Sequence, residues 1–378
     1  MEARFRTLPR NSARAWAPGL VVASRYRLER LLGKGGMGEV WSARDTQTFR
    51  AVAIKLVAFG TSRLDAVEAR FRREATVAAR LTGPAFVEVF DHGADADEAF
   101  LVMELLSGET LEERLRRVET FDLGSASKLI DAMSVALEIA HAQRIVHRDL
   151  KPANVFFAES RASTSGVFSL ASGAETIKLF DFGVAKDGAD ESRLTRPDML
   201  LGSAHYMAPE QIRAVSEVDA RADVWSLAVI LFRLLTGSLP FEGERLEVLV
   251  RIIQDRPREA CAVRPSLPPA METFFRRAFE KSPDRRFQSV AELRVAFAKI
   301  VAHPHAVVVE PQSVTIPAPK AVARTIDPPT CRPTVIDWVA PTLHAPTAAK
   351  PFSWVMCALS AFLVAALGVA TAVSLLLH

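Results

Sequence analysis

Apolar residues alternate with polar ones through the first third of the chain and recur at helical spacing through most of the rest. Tyr26–Leu32 has Tyr26, Leu28 and Leu31 as its apolar positions. Val40–Ala43 and Ala51–Val57 follow, and all three read as strands bounded by polar turns. The period then changes. In Arg63–Leu81 the residues Phe71, Ala75, Ala78 and Leu81 fall on one side, with Arg and Glu elsewhere, which predicts an amphipathic helix. Val87–Phe90 and Ala99–Glu104 complete a small sheet. Beyond Ser107-Gly108 helix dominates: Thr110–Arg117, Leu123–Gln143, Asp223–Thr236, Leu246–Ile253, Met271–Phe279 and Val290–Val301. Short strands are expected at Val155–Phe157 and Thr176–Phe180. The fold class is therefore α+β: a small β-rich lobe, a connector near Glu104–Gly108, and a larger helical lobe, with a binding crevice between the two.

Three stretches depart from this pattern. Residues 158–176 are small and polar and read as an enlarged hairpin loop, surface padding rather than a regulatory insert. Prolines recur every few residues from Pro304 to Pro351, which predicts a poorly folding linker over 302–352. No charged residue occurs from Pro351 to Leu377. About 25 residues at 1.5 Å rise make roughly 37 Å of helix, against a hydrocarbon core of about 30 Å. A buried core helix would show a polar face, whereas this one has only Ser360, Thr371 and Ser374. Residues 353–377 are expected to be a single transmembrane helix, with Trp354 at the near interface and Lys350 on the cytoplasmic side. Only His378 follows it, which is the pattern of a tail anchor. The expected location is the cell inner membrane, single-pass, with the folded domain in the cytoplasm.

Composition narrows the classes further. The net charge is +3 over 378 residues, with both signs interspersed, so no basic stripe for nucleic acid is present. Cys261, Cys331 and Cys357 are too few and too widely spaced for a disulfide framework or a zinc site. A reducing cytosolic setting is the simpler reading. The Arg-containing start, residues 1–25, lacks an apolar run long enough for a signal peptide. It is expected to be a solvated tail.

The candidate chemistry lies in three segments far apart. Gly33, Gly35 and Gly38 in LGKGGMGEVW let the backbone close over phosphates and present N–H groups to them. A strand follows rather than a helix, which argues against a nicotinamide-binding turn. Lys55 ends the apolar strand segment Ala51–Ile54, and its ammonium would sit beneath that loop. Its carboxylate partner should come from the next helix: Glu74 is best placed and Glu68 is the competing choice. Asp149, in HRDLKPAN, is the candidate base for a hydroxyl nucleophile. Lys151 can stabilise charge on a moving phosphoryl group. Asn154, and Asp181 of DFG, are oxygen donors suited to magnesium. Any one of these segments alone is weak; together they supply what phosphoryl transfer requires.

Residues from about Tyr26 to about Val301 resemble a protein kinase catalytic domain, in particular the eukaryotic-like serine/threonine kinases of bacteria. GKGGMGEVW, HRDLKPANV, DFGVAK, GSAHYMAPEQ and DVWSLAVILFRLLTG carry the match. The resemblance implies a two-lobed kinase fold over 26–301, ATP and Mg2+ as cofactors, and protein Ser/Thr hydroxyls as acceptors, including the chain's own. It implies an ATP site built by Leu32, Gly33, Gly35, Gly36, Gly38, Val40, Ala53, Lys55 and Glu74. Met103 would be the gatekeeper, and Glu104–Leu106 the hinge that meets adenine, with Glu104 and Leu106 in contact. It further implies that Glu210 pairs with Arg286 and that Asp223 holds the catalytic loop.

Within the activation segment, Asp181–Glu210, Thr195 is the first candidate phosphosite and Ser192 the second. Arg148 resembles the arginine that reads such a phosphate. Ser203 stands where threonine is usual, so its hydroxyl can still bond Asp149 and Lys151. A scaffold that binds partners without catalysis is the alternative from another class; every expected catalytic residue being present favours catalysis. A homodimer assembled through small residues of 353–377 for trans-autophosphorylation is a further arrangement, with anchoring alone the simpler account.

Overall fold

A computed structural model of the chain describes residues 16–35, 38–58, 64–95, 98–159, 175–182, 204–213, 218–244 and 246–304, with backbone only at 64–70 and 95. The chain divides into two units, Met1–Gln312 and Ser313–His378. The second lies wholly outside the described residues, as do the expected membrane helix at 353–377 and most of the linker. Among the described residues no helix is long and apolar enough to cross a membrane.

The first lobe is a six-stranded antiparallel sheet. Its strands are β1 (Val21–Val22), β2 (Tyr26–Gly35), β3 (Gly38–Asp45), β4 (Ala51–Ala58), β5 (Val89–Asp95) and β6 (Glu98–Glu104), in the order β1-β2-β3-β4-β6-β5. Helix α1 (Leu64–Arg80) connects β4 to β5. The two-residue period of β4 sorts its side chains onto the two faces. Val52, Ile54 and Leu56 join a core with Tyr26, Leu28, Trp41 and Phe100. Val57 faces the other way and packs with Phe71 and Ala75 of α1 and with Ala99 and Leu101. Lys55 shares that second face, so the alternation that builds the sheet also aims the lysine at the helix.

Residues 16–25 do not behave as a solvated tail. Trp16 and Leu20 pack on the outer core, Trp16 Nε1 donates to Glu98 Oε2 at 2.5 Å, and Val21–Val22 pairs with β2. A two-residue strand carries no readable period, and its apolar side chains find partners only once the sheet exists. Strand β5 is displaced from its expected place at 87–90. It is an edge strand whose Asp91, His92 and Gly93 hide the alternation, with a bulge between Val89 and Asp91.

Past the connector, β7 (Gly108–Thr110) pairs with β8 (Val155–Glu159), and β8 pairs with β9 (Glu175–Leu179). The residues between β8 and β9, expected to form a long loop, fall outside the described set. Helices α2 (Leu111–Arg117), α3 (Leu123–Ala142), α4 (Pro209–Ile212), α5 (Arg221–Thr236), α6 (Leu246–Gln254), α7 (Ala260–Val263), α8 (Ala270–Ala278) and α9 (Val290–Ala302) make the second lobe. Thr110 and Glu113 form a reciprocal capping box on α2, and Asp122 caps α3 through the Gly124 and Ser125 amides. Nearly every residue of α5 is buried, so its pattern reads as apolar all round rather than amphipathic. Each large apolar side chain so buried contributes about 1.5–3 kcal/mol. The α5 helix ends where Gly237 takes a left-handed turn, φ 74°.

Candidate active site

Lys55 joins the two lobes. Its Nζ donates to Glu74 Oε1 at 2.6 Å and to Asp181 Oδ1 at 2.9 Å. The Lys55 and Glu74 side chains are each only 11% exposed. Glu74 lies on the face of α1 that carries Phe71 and Ala75, which are buried against the sheet. Between the two carboxylates left open by the sequence, Glu74 is the one that reaches the lysine; the Glu68 side chain is outside the described set. Burial works against a charged Lys55, but the Asp181 and Glu74 carboxylates outweigh it, and the net shift holds the ammonium above its ordinary pKa. Burial raises Glu74 above the ordinary carboxylate range, and the ammonium only partly offsets this.

The glycine-rich segment is a β-hairpin in which Gly33 pairs with Val40 and Gly35 with Gly38. The three glycines differ in what surrounds them. A Cβ on Gly38 would lie 1.9 Å from the Leu56 carbonyl oxygen, at φ +144°, so the sheet itself demands glycine there. Among the described residues, a Cβ on Gly33 or Gly35 would meet no atom within 4 Å. Nothing among the described residues requires glycine at those two positions, which fits a backbone approached closely by a ligand. Gly36 lies outside the described residues. Val40 stands opposite Lys55, Lys55 opposite Leu101, and Ala53 opposite Met103. These residues therefore share the face turned toward the second lobe, beneath the hairpin that carries Leu32.

The loop at 147–154 is held from below by Asp223 of α5. Its Oδ2 accepts from the His147 amide at 2.8 Å, and its Oδ1 from the Arg148 amide at 2.9 Å. His141 Nε2 lies 2.7 Å from the same Oδ2. Arg148 has φ +61°, a left-handed conformation uncommon for a residue with a side chain. Gln211 steadies it by donating to its carbonyl at 2.8 Å. The sequence gives no sign of either His141 or Gln211, because no spacing rule links them to the loop.

Above this support, Lys151 Nζ donates to Asp149 Oδ2 at 2.9 Å, and Asn154 Nδ2 to the Asp149 carbonyl at 2.9 Å. The Phe180 amide donates to the Asn154 carbonyl at 3.3 Å. With Val155 opposite Leu179, this brings Asn154 beside the chain leading into Asp181. Asp181 is also left-handed, φ 55°. The next residue, Phe182, is buried, with its ring centroid 4.4 Å from that of His147 and 5.9 Å from that of Phe86. His147 is fully enclosed, and burial pushes its pKa below the ordinary value.

The site thus gathers the Lys55 and Lys151 ammonium groups, the Asn154 amide, and the Glu74, Asp149 and Asp181 carboxylates. Asn154 and Asp181 are hard oxygen donors of the kind Mg2+ prefers, and the open space over Gly33 and Gly35 suits phosphate. The residues present thus fit a magnesium–nucleotide pair. At the connector, the Glu104 amide is committed to the Glu88 carbonyl at 2.9 Å, and its carboxylate to the Glu88 amide and to Lys178. An adenine contact at Glu104 would fall to its carbonyl oxygen. Leu106 is half-buried in the irregular segment that follows. Farther away, Arg286 is paired with Glu210 through two 2.7 Å bonds. Thr195 and Ser203 lie outside the described residues.

Residues 26–305 match the protein kinase domain family. The chain is 34% identical over 273 residues to the serine/threonine-protein kinase PknD of Mycobacterium tuberculosis, covering 72% of this chain and 39% of that one. It is 34% identical over 275 residues to the serine/threonine-protein kinase pkn3 of Myxococcus xanthus, covering 71% and 48%. The chain thus spans less than half the length of these curated relatives. Among solved structures, the kinase domain of Mycobacterium tuberculosis PknI is similar, with a TM-score of 0.57 and 28% identity. That match covers 75% of this chain and 99% of the other. With a family match across most of its length and a two-lobed fold built around these residues, the chain belongs to the protein kinase domain family.

Proposed function

We propose that this chain is a serine/threonine protein kinase, transferring the γ-phosphoryl group of ATP to Ser or Thr hydroxyls of proteins, itself included. The observation that carries the reading is the Lys55 ammonium shared between Glu74 and Asp181, 2.6 and 2.9 Å away. That pairing fixes a positive charge for phosphate oxygens and brings Asp181 of the second lobe under the first. Bound Mg2+, held by Asn154 and Asp181, would neutralise phosphate charge. Lys55 would orient the non-transferred phosphates, the Gly33–Gly38 hairpin would cover them and exclude water, and Val40 and Ala53 would line the nucleotide side. Asp149 Oδ2, held by Lys151, would orient the acceptor hydroxyl and take its proton late in transfer. Lys151 would then stabilise charge on the moving group. Purified chain incubated with Mg-ATP should label itself and a generic Ser/Thr substrate, and Asp149→Asn should reduce labelling by about 10²- to 10⁴-fold. Wild-type protein that binds nucleotide but labels nothing would point instead to a scaffold.

Activation is proposed to pass through Thr195, with Arg148 reading the phosphate. Mass spectrometry of autophosphorylated protein tests this, and phosphate only elsewhere in the chain counts against it. The apolar run at 353–377 supports a single-pass anchor at the inner membrane with the kinase domain in the cytoplasm. The full chain should sediment with membranes and resist carbonate extraction, and a chain ending at residue 352 should not.

A further inference from the structure

Lys178 takes no part in phosphoryl transfer, yet its ammonium sits where three segments meet. On β9, Ile177 and Leu179 are buried among apolar residues. Lys178 points to the opposite face, three residues before Asp181. Its side chain is only 14% exposed. Nζ donates to the Phe86 carbonyl at 2.9 Å and makes a short bond to Glu104 Oε1. The same Oε1 accepts from the Glu88 amide at 2.9 Å, while the Glu104 amide donates to the Glu88 carbonyl at 2.9 Å. β9 is itself joined to the segment after α1: the Leu179 amide donates to the Ala85 carbonyl at 2.8 Å, and Phe86 bridges to Leu179. Glu104 ends β6 and opens the connector between the lobes. One cation therefore ties the strand that leads into Asp181 to the residue that begins the connector.

We propose that Lys178 and Glu104 form a positioning clamp that holds the connector against the Asp181 strand and thereby sets nucleotide affinity. This rests on the kinase reading above. The physical argument is pre-organisation. A connector held in one arrangement offers the nucleotide a site already formed, whereas a released connector samples others. If the competent arrangement falls to about one fifth of the population, the apparent Kd rises about fivefold. The clamp reaches neither Asp149 nor Lys151, so the chemical step is spared.

The test is a comparison of wild type, Lys178→Met, Lys178→Arg, Glu104→Gln and the Lys178→Met/Glu104→Gln double variant. Nucleotide affinity is measured by calorimetry with Mg-ADP, KM for ATP and kcat by autophosphorylation, and folding by thermal melts. For Lys178→Met, Kd and KM should rise fivefold or more with kcat within about twofold. Lys178→Arg should restore most of the affinity. The double variant should bind no more weakly than the worse single variant, because both remove one interaction. Glu104→Gln keeps shape and volume, so it carries the affinity test if Lys178→Met does not fold. Wild-type binding with unchanged affinity in the variants, a loss confined to kcat, or additive losses in the double variant would each overturn the clamp alone. A wild-type chain that binds no nucleotide would overturn the kinase reading and the clamp with it.

Discussion

The guanidinium of Arg286 grips both carboxylate oxygens of Glu210 at 2.7 Å, with the arginine side chain fully buried. The same guanidinium donates to the Glu280, Arg221 and Lys281 carbonyls. It thus joins α4, in which the activation segment ends, to α5 and to the loop after α8.

Removing one partner leaves the other charge buried without compensation, which costs about 3–5 kcal/mol. Arg286→Met and Glu210→Gln should each lower the unfolding free energy obtained from urea melts by an amount in that range. The double variant should lose less than the sum. A change within error of zero would mean that the pair is dispensable.

Lys55→Met should leave the protein folded and depress kcat by at least about 10²-fold, the scale for losing one preorganised electrostatic contact in a transition state. Glu74→Gln keeps the lysine but loosens its position, so its loss should be smaller. Single-turnover phosphorylation measures both, and equal losses would show that Glu74 does more than position Lys55.

The buried His147 ring makes stability depend on pH. Burial lowers its folded pKa, while the unfolded chain keeps the ordinary value of about 6.5. Between these two values the unfolded state binds more protons, so this contribution is complete above about pH 6.5 and is lost as pH falls through the window below. His147→Phe should flatten the stability profile between about pH 5 and 7, read from urea melts across that range, relative to wild type. Parallel profiles would exclude the effect.

Gly38 and Gly33 should separate fold from ligand. Gly38→Ala forces a Cβ to within 1.9 Å of the Leu56 carbonyl at a left-handed φ, and should destabilise by roughly 1–3 kcal/mol. Gly33→Ala meets nothing among the described residues, so its melting temperature should hold while nucleotide affinity falls. A Gly33→Ala variant with unimpaired binding would remove that glycine from the phosphate site.

Much of the architecture is readable because long elements repeat their period. The α3 helix, expected at Leu123–Gln143, spans Leu123–Ala142, and β4, expected at Ala51–Val57, spans Ala51–Ala58. Elements of two to four residues are not readable: β1, β7, α4 and α7 hold too few residues for a period to recur. Residues 16–25 read as tail because Trp16 and Leu20 find their apolar partners only on a surface assembled from β2, β3, β4 and β6. Within the site, Lys55, Asp149, Asn154 and Asp181 are legible from motif and spacing. His141, Gln211 and Lys178 are not, since each acts through a partner distant in the chain.

Sequence alone determined which chemical groups this protein brings and on which kind of element each one sits, because side-chain periodicity and local motifs are properties of neighbouring residues. Tertiary structure brought Glu74, the carboxylate the spacing favoured, to Lys55 and set Asp223, as the resemblance implied, under the loop of Asp149; it alone decided that Lys178 meets Glu104. Those pairings span 19 to 76 residues. They arise only when buried faces of separate elements pack together, and no local pattern records which carboxylate will then meet which cation.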